Sequence, residues 1–144
     1  MTEAKSRPFV DTNVFFSAFY RPGSPPEVIL TRHVEATITI VISRQILEEI
    51  VSVIREKKPD LLNSLQRFLT NAPPEIYPDP TSDEVRQAIE WINPADAPIL
   101  AAARKCRADC LISGNTRHFT KEAGRNAGID IFTPAEYLAQ LSND

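Results

Sequence analysis

The sequence predicts an α/β fold in which helices cover both faces of a mostly parallel sheet, a three-layer α/β/α sandwich. Short β-rich runs alternate with helical patterns along the chain. The runs are continuously apolar rather than alternating, which is typical of strands buried on both faces of a parallel sheet. A chain of 144 residues with 42% hydrophobic and 24% charged residues also has the size and composition of one globular domain. We therefore expect a single domain over residues 1–144.

Four runs are rich enough in apolar and β-branched residues to predict strands. They are "RPFV" (7–10), "TITIVI" (37–42), "CLIS" (110–113) and "IDIFT" (129–133). The proline-rich stretch 71–82 predicts a rigid surface connection with room for a short strand near Ile76.

Helix starts are marked by residues that cap free backbone N–H groups. Capping boxes begin at Ser24, Thr81 and Thr133, and single caps precede the helical patterns at Ser43 (44–56) and Asp60 (61–70). The predicted order is β-α-α-β-α-α-loop-α-α-β-α-β-α.

Charge and cysteine content narrow the function classes. The net charge of −3 neither demands nor excludes nucleic acid, but residues 104–125 carry six Lys/Arg, which suit either a phosphate contact or a solvated helix face. Cys106 and Cys110 have no zinc-site partners and are expected to be reduced, small apolar residues. The N-terminus lacks a signal-peptide pattern and no apolar run is long enough to span a membrane, so a cytoplasmic protein without a membrane partner is expected.

Polar residues at strand ends identify a candidate site. Ligands of open α/β sheets bind beyond the carboxyl ends of the strands. Asp11 directly follows the first predicted strand, and Asn115 follows "CLISG". Asp109 and Asp130 fall at the opposite strand ends and are set aside.

Two further acids belong to helices that begin at this same edge. In helix 44–56, Glu49 lies on the flank of the apolar arc and Glu48 roughly opposite. In "NPADAPILAAARKC", Asp96 as N-cap puts Pro98 where no backbone donor is missed, whereas a start at Asn93 would leave Pro98 inside the helix. Four separate segments therefore bring Asp11, Glu49, Asp96 and Asn115 to one place.

Each of these residues also has a simpler explanation, as a helix cap, a solvated helix residue or a turn residue. Together, three converging carboxylates would repel each other and raise each other's pKa. A hard divalent cation removes that cost, and oxygen ligands favour Mg²⁺ or Mn²⁺ over zinc.

These same residues carry a family resemblance. The blocks "FVDTNVFFSAF", "VISRQILEEIVSVI", "NPADAPILAAARKCRADCLISGN" and "IDIFTPAEYLAQL" resemble successive blocks of a PIN domain, nearest to the VapC-type toxins of bacterial toxin–antitoxin pairs. The resemblance covers nearly the whole chain. Each motif alone is weak, but the combined order and spacing are fairly specific.

The resemblance implies metal-dependent cleavage of RNA. Asp11, Glu49 and Asp96 match the catalytic acids, which would hold Mg²⁺ or Mn²⁺, and Asn115 stands where many members have a fourth acid. An amide is a weaker ligand than a carboxylate, so a second tightly held ion is not implied. An antitoxin protein and a homodimer are the implied partners besides RNA. Residues beside the acids are assigned to substrate or to orienting Asp11, namely Thr12, Asn13, Ser113, Arg117, His118 and Lys121.

Other readings stay open. A non-catalytic PIN-like module that binds RNA or a protein is the main alternative, and Asn115 favours it. Haloacid-dehalogenase-type phosphatases need a second aspartate where this chain has Asn13. Response-regulator receivers need an acidic pair near the start that is absent here.

Overall fold

The computed structural model describes residues 5–142, and residues 1–4, part of the stretch that predicts no signal peptide, lie outside this range. The strands are β1 (Pro8–Val10), β2 (Val41–Ser43), β3 (Glu75–Tyr77), β4 (Cys110–Ile112) and β5 (Asp130–Phe132). The helices are α1 (Thr12–Tyr20), α2 (Pro25–Val34), α3 (Arg44–Lys57), α4 (Leu62–Asn71), α5 (Ser82–Ala88), α6 (Ala97–Lys105), α7 (Lys121–Ala127) and α8 (Pro134–Ser142). The predicted order of elements is confirmed, including the short strand at Ile76.

The strands form one sheet in the order β3-β2-β1-β4-β5, and every neighbouring pair is parallel. The steps from β1 to β2 to β3 run in one direction, so right-handed crossovers put α1 to α4 on one face. The steps to β4 and β5 run in the opposite direction and put α5 to α7 on the other face. Helix α8 packs against α2 and completes the first layer. The predicted α/β/α sandwich is confirmed.

The reversal of direction places a crevice between β1 and β4. Phe9 pairs with Leu111 at the centre of this ladder, and both side chains are fully buried. In parallel sheets, ligands bind where the strand order reverses, beyond the carboxyl ends. The residues after β1 and β4 therefore lie at the position that the fold itself favours for a site.

The predicted strand 37–42 pairs over a shorter length than expected. Only Val41–Ser43 belongs to the ladder, and Ile38 makes an isolated bridge to Ser6. The reason is that the backbone N–H of Ile40 donates to the ring of His33 rather than to a strand, at 3.0 Å. The apolar pattern records burial correctly, since Ile38 and Ile40 are both buried, but burial does not require ladder pairing.

Two helix starts differ from the sequence prediction. Ser24 is the N-cap of α2, but its hydroxyl makes no capping bond, and Glu27 accepts the N–H of Gly23 at 2.7 Å instead of closing the box. Asp60 does not cap α4: it lies in a single 3-10 turn, Pro59–Leu61, that leads directly into the helix. The boxes at Thr81 and Thr133 are both formed.

Helix lengths and cysteine environments complete the description. None of the helices within residues 5–142 combines the length and the apolar character needed to cross a membrane.

Both cysteines are buried, and neither forms a disulfide bond. Burial raises the pKa of Cys106 to about 11 and that of Cys110 to about 12, so neither thiol ionises near neutral pH.

His33 connects the layer of helices that contains α2 and α4 to the sheet through hydrogen bonds. Its Nδ1 accepts the backbone N–H of Ile40 at 3.0 Å, and its Nε2 lies 2.9 Å from the carbonyl oxygen of Ala72. These two bonds require the tautomer with the proton on Nε2. The ring therefore connects α2 to the strand before β2 and to the end of α4.

We predict that His33→Leu lowers the free energy of unfolding by about 2 kcal/mol, because it leaves a buried N–H and a carbonyl without partners. Urea denaturation measures the change. Arg32→Leu, which places the same side chain at an exposed position on the same helix, is the control and should change stability by less than about 0.5 kcal/mol. Equal effects of the two substitutions would contradict this role of the ring.

Candidate active site

Asp11 is the buried centre of the candidate site, with 7% of its surface exposed. It follows β1 as the N-cap of α1, and its Oδ1 accepts the N–H of Thr12 at 2.8 Å. Its Oδ2 accepts the hydroxyl of Ser113 at 2.8 Å and the amide of Asn13 at 3.1 Å. The pKa of Asp11 is raised, mainly by burial, although the bonds from Ser113 and Thr12 oppose the shift. Asp11 therefore caps a helix and also keeps a carboxylate facing an open cavity.

The turn after β4 is tied to this carboxylate. Ser113 Oγ, which donates to Asp11, accepts the backbone N–H of Asn115 at 3.0 Å. The N–H of Gly114 donates to Asn13 Oδ1 at 2.9 Å. A Cβ at Gly114 would lie 3.2 Å from that same oxygen, so the glycine permits a close approach. The ends of β1 and β4 are thus held together through side chains as well as through the ladder.

Glu49 lies across the cavity in the second turn of α3. Its Oε2 accepts the hydroxyl of Thr12 at 2.8 Å, and its Oε1 accepts the side-chain amide of Gln45 at 2.9 Å. Glu48 is exposed. The helical phase deduced from the apolar arc therefore agrees with the observed geometry.

Asp96 enters from the start of α6. It is the N-cap residue, but its side chain makes no capping bond. Instead, Oδ2 accepts the amide of Asn93 at 2.6 Å and lies 2.7 Å from His118 Nδ1. The Asp96 side chain is 17% exposed and that of His118 is 50% exposed. Asn93, which the sequence offered as the alternative N-cap of this helix, is therefore a hydrogen-bond partner of Asp96.

One open cavity of about 380 Å³ joins these groups. Its walls come from the residue after β1, the segment after β4, the helices α1 and α3, and α6 with the turn that precedes it. The lining residues are Asp11, Thr12, Asn13, Phe16, Ser17, Glu49, Val53, Lys57, Ala95, Asp96, Ile99, Asn115 and Phe119. The four residues predicted from separate segments all line it.

Of the other predicted residues, Thr12 and Asn13 also line the cavity, whereas Ser113, Arg117, His118 and Lys121 lie outside its lining. Ser113 supports Asp11 from behind, and His118 contacts Asp96. Arg117 is exposed outside the lining. Lys121 is engaged elsewhere: its ammonium donates to the Ile131 carbonyl and lies 2.8 Å from Glu136. The sequence places Lys121 near the site but does not show that β5 and α8 supply it with partners.

The donor set fits a hard divalent cation in its chemistry. Carboxylate and amide side chains line one cavity, and no cysteine is among its lining residues. Within residues 5–142, no three His, Cys, Asp or Glu side chains are already close enough to enclose an ion. Each carboxylate is held by neutral donors or by His118, and each keeps lone pairs with which it could bind an ion.

Several contributors were not found from the sequence. Gln45 and Asn93 are polar residues of ordinary helix and turn positions, and only the structure shows that each holds a carboxylate. One feature of the sequence could have identified Lys57 as a cavity residue. It follows Glu49 by two intervals of four residues and so lies on the same side of α3. Along α1, Phe16 follows Thr12 and Ser17 follows Asn13, each by four residues.

Comparison with known proteins identifies the family of this chain. A family model described as PIN domain matches residues 7–117. The chain therefore belongs to the PIN domain family. No curated protein sequence matches it.

Solved structures share the fold at low sequence identity. FitAcB from Neisseria gonorrhoeae is 20% identical, with a TM-score of 0.60 over 89% of this chain and 98% of that chain. VapBC2 from Rickettsia felis, solved bound to a DNA fragment from their promoter, is 23% identical, with a TM-score of 0.62 over 88% and 98%. PAE2754 from Pyrobaculum aerophilum is 14% identical, with a TM-score of 0.63 over 96% and 91%.

The raised pKa of Asp11 predicts a pH-dependent effect of Asp11→Asn on the metal-free protein. Because the folded pKa lies above the ordinary value of 3.8, folding takes up a proton in this window. The parent should therefore lose stability as the pH rises from 3.8 through the raised value, and the variant should not lose this contribution. Urea denaturation of both proteins in chelator across this pH range measures the difference between their free energies of unfolding. This difference should shift in favour of the variant as the pH increases. A difference in the free energy of unfolding that does not change with pH would contradict a raised pKa of Asp11.

Proposed function

We propose that the protein is a divalent-metal-dependent ribonuclease that hydrolyses RNA phosphodiester bonds. The observation that carries the proposal is the buried Asp11 carboxylate, which faces Glu49 and Asp96 across one open cavity in a PIN domain. Burying a carboxylate near other carboxylates costs free energy of folding, and this cost favours a functional reason for the cluster.

Asp11, Asp96 and Glu49 would hold Mg²⁺ or Mn²⁺, with the Asn115 side chain as a further oxygen ligand or a substrate contact. When bound, such an ion lowers the pKa of a water ligand and polarises a phosphate oxygen. Asn115 lines the cavity, but its amide brings a dipole rather than a charge. This supports one resident ion rather than two.

The other residues orient the acids and move a proton. Ser113 and Asn13 fix Asp11, and Asn93 and His118 fix Asp96. Glu49 is the best-placed general base, because its carboxylate faces the cavity and is held by Thr12 and Gln45, which are not themselves bases. Arg117 remains our candidate for a backbone phosphate contact.

The resemblance to VapC-type toxins and the fold shared with FitAcB and VapBC2 support a role as the toxin of a toxin–antitoxin pair. We accordingly propose an antitoxin protein as partner, a homodimer, and action in the cytoplasm. The genomic neighbourhood tests the pairing directly, since a toxin gene should lie beside the gene of a small partner protein.

A second candidate is a PIN-like module that binds RNA or a protein without cutting. Two observations favour it: the amide of Asn115 and the separation of the acids within residues 5–142. Cleavage of RNA that stops on chelation would exclude it.

Substitutions of the acids test the proposed chemistry. Asp11→Asn should reduce cleavage of RNA to background with the fold retained. Glu49→Gln should cost about a hundredfold or more, as expected for loss of a general base. Glu48→Gln, on the exposed side of the same helix, is the matched control and should cut as the parent does. Equal losses from Glu48→Gln and Glu49→Gln would contradict the site.

Asn115→Asp tests whether this residue touches the ion. An added carboxylate should tighten Mn²⁺ binding, because it brings a full charge where the amide offered a dipole. The metal-free variant should also be less stable, because like charge is added to the cavity. Calorimetric titration of both proteins with Mn²⁺ measures the affinity without reference to activity. Unchanged or weaker binding would place Asn115 outside the metal shell.

A further inference from the structure

A groove leads away from the acids between α1 and α3. Thr12 and Glu49 are joined by a hydrogen bond of 2.8 Å at its inner end. Along α1, Phe16 follows Thr12 by four residues, and along α3, Val53 follows Glu49 by four residues. Both lie in the cavity wall, and α1 packs against α3. Residues spaced by four share one side of a helix, so these side chains continue the site along the two helices.

The outer part of α1 presents an aromatic surface. The ring of Tyr20 stacks on that of Phe16, with centroids 5.6 Å apart and planes 14° from parallel. Tyr20 is 50% exposed, although it is a large aromatic residue. Since Phe16 supports one face of the ring and also lines the cavity, Tyr20 extends the wall of the site outward.

The outer part of α3 presents a cation. Lys57 lines the same cavity and is exposed. Within residues 5–142, no acidic side chain lies within ion-pair distance of it, although Lys58, Lys105 and Lys121 each have such a partner. Lys57 is thus an unpaired positive charge roughly 12 Å along the helix from Glu49, at 1.5 Å per residue.

We propose that single-stranded RNA leaves the cleavage centre along this groove, with one unpaired base stacked against Tyr20 and a backbone phosphate bound by Lys57. The inference rests on the proposed function and adds to it the surface along which the strand leaves the site. An aromatic platform beside a cation is the combination that binds single strands without reading their sequence. A duplex keeps its bases stacked on each other and has none to offer Tyr20.

Charge favours RNA over a protein segment as the occupant. A single strand carries a negative charge at every phosphate, and the ion proposed at the acids contacts only the phosphate that is cut, so a further cation is needed to hold the backbone beyond it. Lys57 supplies that charge at the place where the chain would leave the site. An apolar protein segment would gain nothing from the ammonium and would need only apolar area at Tyr20. The two occupants therefore respond differently when the ring is replaced by an aliphatic side chain.

Binding of a short fluorescent single-stranded oligoribonucleotide tests the groove apart from cleavage. All variants are made in the Asp11→Asn protein, and anisotropy is measured in Mg²⁺. Tyr20→Leu should weaken binding by about 5- to 150-fold, the range for loss of one stacked base, while Tyr20→Phe should bind as its background does. Val34→Ala, which alters an exposed apolar residue on α2, is the control and should have no effect.

The role of Lys57 has its own signature. Lys57→Gln should weaken binding and reduce the slope of log K against log salt concentration by about 0.7, as for one lost phosphate contact to a single strand. Arg55→Gln removes the same charge from another side of α3 and should leave binding and slope unchanged. A duplex of the same sequence should show no dependence on Tyr20.

Three outcomes would overturn the inference. The first is that Tyr20→Leu and Lys57→Gln both bind the single strand as tightly as their background does. The second is that the substitutions weaken binding of duplex RNA as much as binding of the single strand, and the third is that they change the oligomeric state or the binding of a protein partner without changing RNA binding. Failure of the proposed function looks different. If the parent binds the strand through Tyr20 and Lys57 but never cuts it, the groove stands and the nuclease proposal fails.

Discussion

The buried carboxylate of Asp11 is the constraint on which the arrangement of the site depends. It is held by a backbone N–H, a hydroxyl and an amide, and the hydroxyl comes from the far side of the β1–β4 ladder. Burying a carboxylate is costly, and these donors offset part of the cost without cancelling its charge. The same bonds join the end of β1 to the turn after β4 at the point where the sheet reverses direction. The carboxylate at the centre of the candidate site therefore also fixes the geometry of that site.

The other two acids follow a related principle. Glu49 is held by Thr12 and Gln45, and Asp96 by Asn93 and His118. Each acid has its own set of donors, so the three carboxylates can share a cavity without lying in direct contact. Spacing of this kind lowers their mutual repulsion before any cation is bound. It also preorganises the oxygen atoms, since residues locked by second partners lose little freedom when a ligand arrives.

In our proposals, chemistry and substrate contact are carried by different parts of the fold. The sheet edge supplies the acids, where short turns after β1 and β4 hold side chains within narrow limits. The helices α1 and α3 supply the long walls of the groove, where repeats of four residues place Phe16 and Val53 beyond the acids. The net charge of −3 gives no sign of a polyanionic ligand. The local arrangement matters more, because one cation beside the exit of the cavity acts at short range, where screening by salt is weak.

The sequence by itself determined the α/β class, the order of elements and the edge at which Asp11, Glu49, Asp96 and Asn115 meet. Hydrophobic periodicity and helix phase are local properties, and they are sufficient to decide which residues share a face or follow a strand. Only the tertiary structure decided the strand order, the short length of β2 and the partners of each acid. His33 accepts the backbone N–H of Ile40, and Glu136 pairs with Lys121, through contacts between residues that lie apart in the chain. Such contacts depend on which donors and acceptors the fold brings within about 3 Å, and residue spacing along one helix or strand carries no record of them.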